Sequence, residues 1–141
     1  MIRDFEIRDG IYLIQSTHEL DLHNNFDFQS LRYSVVDRSL SLQWHRSERD
    51  GIPANLSTSV SIEFQEVTEF RFQHRDAGVP FTEDDCMSDF GYWTDEDWAK
   101  GKVMLCEPPQ TPDPRWLTAI NFMSGAVILV QANSAYAKVA A

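Results

Sequence analysis

The sequence predicts a mainly β domain, formally α+β as the alternative, in which antiparallel hairpins build a sandwich or a partly open barrel. Three observations carry this. Apolar and polar residues alternate with a period of two along much of the chain, as they do on strands with one buried face. The alternating runs come in pairs joined by short polar links, which is how hairpins read. Helix-start signals gather in one stretch only, at about 81–98.

The elements follow in order. Short strands are expected at Phe5–Arg8 and Ile11–Gln15. Leu31, Tyr33 and Val35 share one face, and beyond Asp37-Arg38-Ser39 the residues Leu40, Leu42 and Trp44 alternate with Ser41, Gln43 and His45, giving a hairpin. Val60, Ile62 and Phe64 face one way, followed by Phe70 and Phe72. Val67 has the wrong parity for one straight strand through both runs. A tight turn or a bulge near Gln65–Thr68 restores the pattern, because one extra residue flips every later side chain. Another strand is expected at Lys102–Cys106. Trp116, Ile120 and Phe122 then lead through a two-residue Ser124-Gly125 link into Ala126–Val130, a run apolar on both faces. Such a run belongs in the middle of a sheet, covered on both sides. Trp44, Phe64, Phe70, Phe72, Trp116, Ile120, Phe122 and Ile128 are therefore expected in one buried cluster.

Thr82-Glu83-Asp84-Asp85 and Thr94-Asp95-Glu96-Asp97 each pair a capping hydroxyl with a carboxylate three residues on. Gly91 and Gly101 follow soon after, so these signals predict one or two short helices. The same stretch is acidic. Glu83, Asp84, Asp85, Asp89, Asp95, Glu96 and Asp97 stand without an intervening Lys or Arg, among the rings of Phe81, Phe90, Tyr92, Trp93 and Trp98. An insert pinned by its aromatics, with acids serving caps and solvent, accounts for this composition. So does a surface for a basic partner, where rings anchor and carboxylates steer. On the second reading the binding residues are Asp84, Asp85, Asp89, Tyr92, Trp93, Asp95 and Glu96, with at least one of Tyr92 and Trp93 partly exposed.

At 141 residues, 43% hydrophobic and 24% charged, the chain fits a single globular domain spanning 1–141. Acids stand where a signal peptide needs a basic start, and Ala126–Val130 is too short to span a bilayer. The expectation is a cytoplasmic protein with no membrane contact. Cys86 and Cys106 lack the spacing of a disulfide framework, so reduced thiols are expected. Twelve basic against 22 acidic residues leave a net charge of −10. That charge opposes binding to nucleic acid and to anionic membranes, and it permits a basic protein partner.

The catalytic signals are weak. His18 and His23 are five residues apart, about 140° from a common helical face, so they do not make a zinc helix and read as exposed. His45 and His74 fall on polar strand faces. The acids do not alternate as a calcium loop requires. Cys86 follows three acids, which raise a thiol's pKa and blunt it as a nucleophile, and Cys106 alternates with Met104 toward the interior. No catalytic residue, metal or cofactor is expected.

The stretches Val60-Ser61-Ile62-Glu63-Phe64-Gln65-Glu66-Val67-Thr68-Glu69-Phe70-Arg71-Phe72 and Phe122-Met123-Ser124-Gly125-Ala126-Val127-Ile128 resemble small uncharacterised bacterial β-rich families. Some of these are toxin-immunity proteins, and the resemblance implies a cytoplasmic antidote that caps a toxin. The expected function is thus non-catalytic binding, an acidic surface offered to a basic partner. The alternative is a small-ligand carrier or a hydrolase with a pocket at the barrel mouth or between sheets.

Overall fold

A computed structural model describes residues 1–94, 103–106 and 110–141. Its strands are β1 (Ile2–Arg3), β2 (Glu6–Arg8), β3 (Tyr12–Gln15), β4 (His18–Asp21), β5 (Phe26–Ser34), β6 (Ser39–Arg46), β7 (Ser59–Gln73), β8 (Met87–Trp93), β9 (Leu117–Phe122) and β10 (Val127–Ala140). The large sheet runs β5-β6-β7-β10-β9-β8, all antiparallel, and β1 adds to β10 in parallel. The small sheet is the meander β2-β3-β4. The large sheet curls into a half-barrel, in keeping with a partly open barrel.

One core joins the two sheets. Ile7, Leu13 and Leu20 of the small sheet pack with Leu42, Trp44, Ile62, Phe64, Ile120 and Ile128 of the large one. Burial of each such side chain contributes about 1.5–3 kcal/mol. A second cluster, of Trp93, Leu117, Ala119, Val127 and Leu129, lies on the opposite face. The start of β10 is therefore buried on both sides, between β7 and β9, as its unbroken apolar run predicts.

The parity problem at Val67 is solved by a bulge. β7 is one strand of 15 residues, with Glu66 at φ 54°. Opposite it, the register slips between Gln131 and Ala132. Val67 turns inward, and its N–H donates to the carbonyl of Arg38 in the β5–β6 turn at 2.8 Å. The β9–β10 link is a residue longer than the expected Ser124-Gly125 pair. Phe122 and Ala126 bond across it at 3.0 Å, leaving Met123, Ser124 and Gly125 as the loop. Gly125 takes φ 89°, the left-handed position that closes a three-residue hairpin.

Three expectations are corrected. Over its described residues, 81–94, the acidic stretch is no helical insert: it holds one 3-10 turn, Phe81–Glu83, and then β8, an integral strand paired with β9. The second helix signal, Thr94–Asp97, lies outside the described residues except for Thr94. Among residues 103–106, only Met104 makes a β-bridge, to Tyr92. Finally, Phe72 is 53% exposed and Tyr33 and Val35 are exposed, while Phe70 and Trp116 are only partly buried. The reason is length. At about 3.3 Å per residue, a four-residue strand covers roughly 13 Å, whereas β7 runs roughly 50 Å. The small sheet cannot roof all of the large one.

Candidate functional site

The uncovered end of the half-barrel is a groove of about 230 Å³, lined by Phe28, Phe72, Arg75, Asp84, Phe122 and Ile128 among others. Its seam joins the sheet's two edges. Phe28 N–H on β5 donates to the Asp85 carbonyl at 2.8 Å, and His23 Nδ1 meets the Met87 carbonyl at 2.6 Å. At the rim, Arg75 donates from Nε to Asp84 Oδ1 at 2.7 Å, donates to the Val79 carbonyl, and lies 4.5 Å over the ring of Phe81. Phe81 is 80% exposed.

Asp85 is exposed beside this rim. Partial burial pushes its carboxyl up, and the nearby charges of Asp27 and Glu83 push it further. The Cys86 thiol is pushed up first by burial and then by Glu83, against the pull of Arg49, with Asp85 and Asp27 adding. Among the described residues, none of Asp27, Glu83 and Asp85 has a cation at ion-pair distance.

Of the predicted partner-binding residues, Asp84 and Asp85 come together at this rim. Asp89 sits on β8, half-buried, hydrogen-bonded to Asn121, its carboxyl pushed up by burial. Tyr92 and Trp93 are not exposed: they are 4% and 1% accessible. Consecutive strand residues point to opposite faces, so Tyr92 enters the main core and Trp93 the second one. Asp95 and Glu96 lie outside the described residues. The rings at the rim are instead Phe72 and Phe81. Parity assigns Phe72 to the core, and Phe81 lies in no alternating run, so only the fold reveals them.

A second cleft, of about 330 Å³, opens between the N-terminal strands and the 110–116 segment. Met1, Arg3, Phe5, Tyr92, Cys106 and Trp116 line it, with Glu6 and Asp113 at its edge. Arg3 reaches inward from β1. Its Nη2 donates to Thr118 Oγ1 at 2.9 Å, and its guanidinium lies 4.7 Å from the Tyr92 ring centre. Gly91 lets the Met104 backbone close onto β8, since a Cβ there would lie 2.5 Å from the Met104 carbonyl oxygen.

The remaining candidates separate cleanly. His18, His45 and His74 are exposed, while His23 is half-buried and held at the seam, contrary to its expected exposure. Cys86 and Cys106 are both free and half-buried. Cys86 Sγ lies 3.9 Å from His23 Nδ1. That nitrogen faces a carbonyl, which only accepts, so it carries a proton toward Met87 and is no base for the thiol. Among the described residues, no group of three His, Cys, Asp or Glu side chains is placed to hold a metal, and no helix is long and apolar enough to cross a membrane.

Comparison with family models, curated proteins and solved structures finds no significant match to this chain.

Proposed function

We propose that the chain is a non-catalytic binding protein that offers the acidic, aromatic mouth of its half-barrel to a basic protein partner, as an immunity-type antidote would. One observation carries this reading. Asp27 and Glu83 bear on the Asp85 carboxylate, of the charges there only Arg49 opposes them, and none of the three acids has an ion-pair partner among the described residues. Exposed Phe72 lines the neighbouring groove, and exposed Phe81 lies against its Arg75. Crowded carboxylates repel, and a partner's Lys or Arg placed among them relieves that repulsion. Exposed aromatics supply the apolar anchor that charge alone lacks. The net charge of −10 adds long-range steering.

The test is capture from an extract of the source cell. Wild type is compared with a triple variant, Phe72→Ser, Phe81→Ser and Asp85→Lys, and the protein lost by the variant is purified and its association followed at low and physiological salt. The expected partner is basic and associates more slowly as salt rises. A partner that binds the variant equally well, or one whose association ignores salt, overturns the reading.

A further inference from the structure

Arg3 is the one strongly desolvated cation whose charge the described residues leave unanswered. Its Nε is buried and has no hydrogen-bond partner among the described residues. Among the described residues the polar contact of its guanidinium is the neutral hydroxyl of Thr118, and it lies over the Tyr92 ring. Burial pulls its pKa down. A buried guanidinium is costly unless a carboxylate or phosphate answers it. Two carboxylates stand at the edge of the same cleft, and both are engaged elsewhere. Glu6 pairs with Arg8 at 3.6 Å. Asp113 pairs with Arg115 at 2.7 Å, which holds its carboxyl down to about 2. Neither makes an ion pair with Arg3.

The rest of the cleft describes what would answer it. Tyr92 and Trp116 line one side with ring centres 6.1 Å apart and planes at 41°, and Met1, Phe5 and Ile7 add apolar surface. The volume of about 330 Å³ sits at the small end of ligand pockets. A guanidinium fork matches a planar carboxylate, and the rings match a flat apolar body.

We infer that the cleft between β1, β8 and the 110–116 segment binds a small organic monocarboxylate with a flat apolar body, its carboxylate on Arg3 and its body against Tyr92 and Trp116. This site is separate from the barrel mouth and stands or falls independently of it.

The probes are benzoate, benzamide, acetate and inorganic phosphate, added to the full chain labelled with ¹⁵N. The readout is the Nε–Hε resonance of Arg3, a donor without a partner among the described residues. Benzoate should move that resonance saturably, because a carboxylate on the guanidinium changes the field at the buried Nε. Benzamide, which lacks the charge, and acetate, which lacks the ring, should each bind at least about tenfold more weakly. Arg3→Met should keep a native amide spectrum, since a partly buried cation without a counter-ion among the described residues is replaced by an apolar chain of similar length, and should no longer bind benzoate. If Arg3→Met does not fold, Thr118→Val serves in its place, loosening the hold on Arg3 and weakening benzoate binding. The Phe72→Ser, Phe81→Ser and Asp85→Lys variant should bind benzoate as wild type does. A resonance that benzoate leaves unmoved overturns the inference. So does phosphate binding as tightly as benzoate, or benzoate binding undiminished by the Arg3 and Thr118 substitutions.

Discussion

The backbone N–H of Phe28 donates to the carbonyl of Asp85 at 2.8 Å, bringing one edge of the large sheet against the residues that lead into its other edge strand. Beside it, His23 Nδ1 lies 2.6 Å from the Met87 carbonyl. These contacts give the sheet its barrel-like closure and place the acids of the 83–85 turn at the open mouth.

The seam depends on His23. His23→Ala removes the donor to Met87 and leaves a part-buried carbonyl without it, so stability should fall by about 1–2 kcal/mol. Urea unfolding measures this, and amide exchange at Phe28 should quicken in the same variant. Unchanged stability and exchange would show that the seam closes without the imidazole.

Aromatics on the same face of the sheet should differ sharply in energetic weight. Phe64 is fully buried, and Phe64→Ala should cost about 3–5 kcal/mol. Phe72 is half-exposed, and Phe72→Ala should cost less than about 1 kcal/mol. Equal losses in thermal or chemical unfolding would mean that Phe72 is covered after all.

Gly91 is required for packing. A Cβ added there meets the Met104 carbonyl oxygen at 2.5 Å and the Val103 side chain at 3.1 Å. Gly91→Ala should therefore destabilise by about 1–3 kcal/mol, as overpacking does, and should break the Tyr92–Met104 bridge. Persistence of slow amide exchange at Tyr92 and Met104 would contradict this.

Asp89 sets a pH dependence of definite sign. Burial raises its pKa in the folded state, so between the ordinary carboxylate value and the raised one the native state holds more protons than the unfolded state. Its contribution to stability therefore falls as pH rises through that window. Asp89→Asn should melt higher than wild type at neutral pH, and the gap should close as pH drops below the ordinary carboxylate range. A gap that widens on acidification would reverse the assignment.

Asp84 and Asp85 are adjacent and should behave oppositely. Asp84 holds Arg75, whose side chain is mostly buried, so Asp84→Asn should cost about 1 kcal/mol. At Asp85 burial and the charges of Asp27 and Glu83 outweigh the attraction of Arg49, so Asp85→Asn should be neutral or stabilising. The two melting temperatures, taken at low salt, decide it. A larger loss from Asp85→Asn would mean that its carboxylate has a structural cation.

Local patterning by itself determined much of this protein: strands β2, β3, β6, β9 and β10, the two-sided burial of Ala126–Val130, and the break in parity at Val67. Those features are written in neighbouring residues, because alternation, turn chemistry and apolar runs are properties of short segments. It missed β1, only two residues long, and β4, where Leu20 is the one apolar residue among His18, Glu19 and Asp21. It read β8 as an insert because carboxylates and Gly91 there imitate helix signals. Only the tertiary structure decided which rings are buried, since Tyr92 and Trp93 vanish into two cores while Phe72, of core parity, emerges beyond the small sheet's reach. It alone joined Phe28 to Asp85 and set Arg3 beside Tyr92 and Thr118, partners 89 and 115 residues away. Burial and charge pairing at such distances depend on which strands become neighbours, and that is settled by the packing of the whole chain.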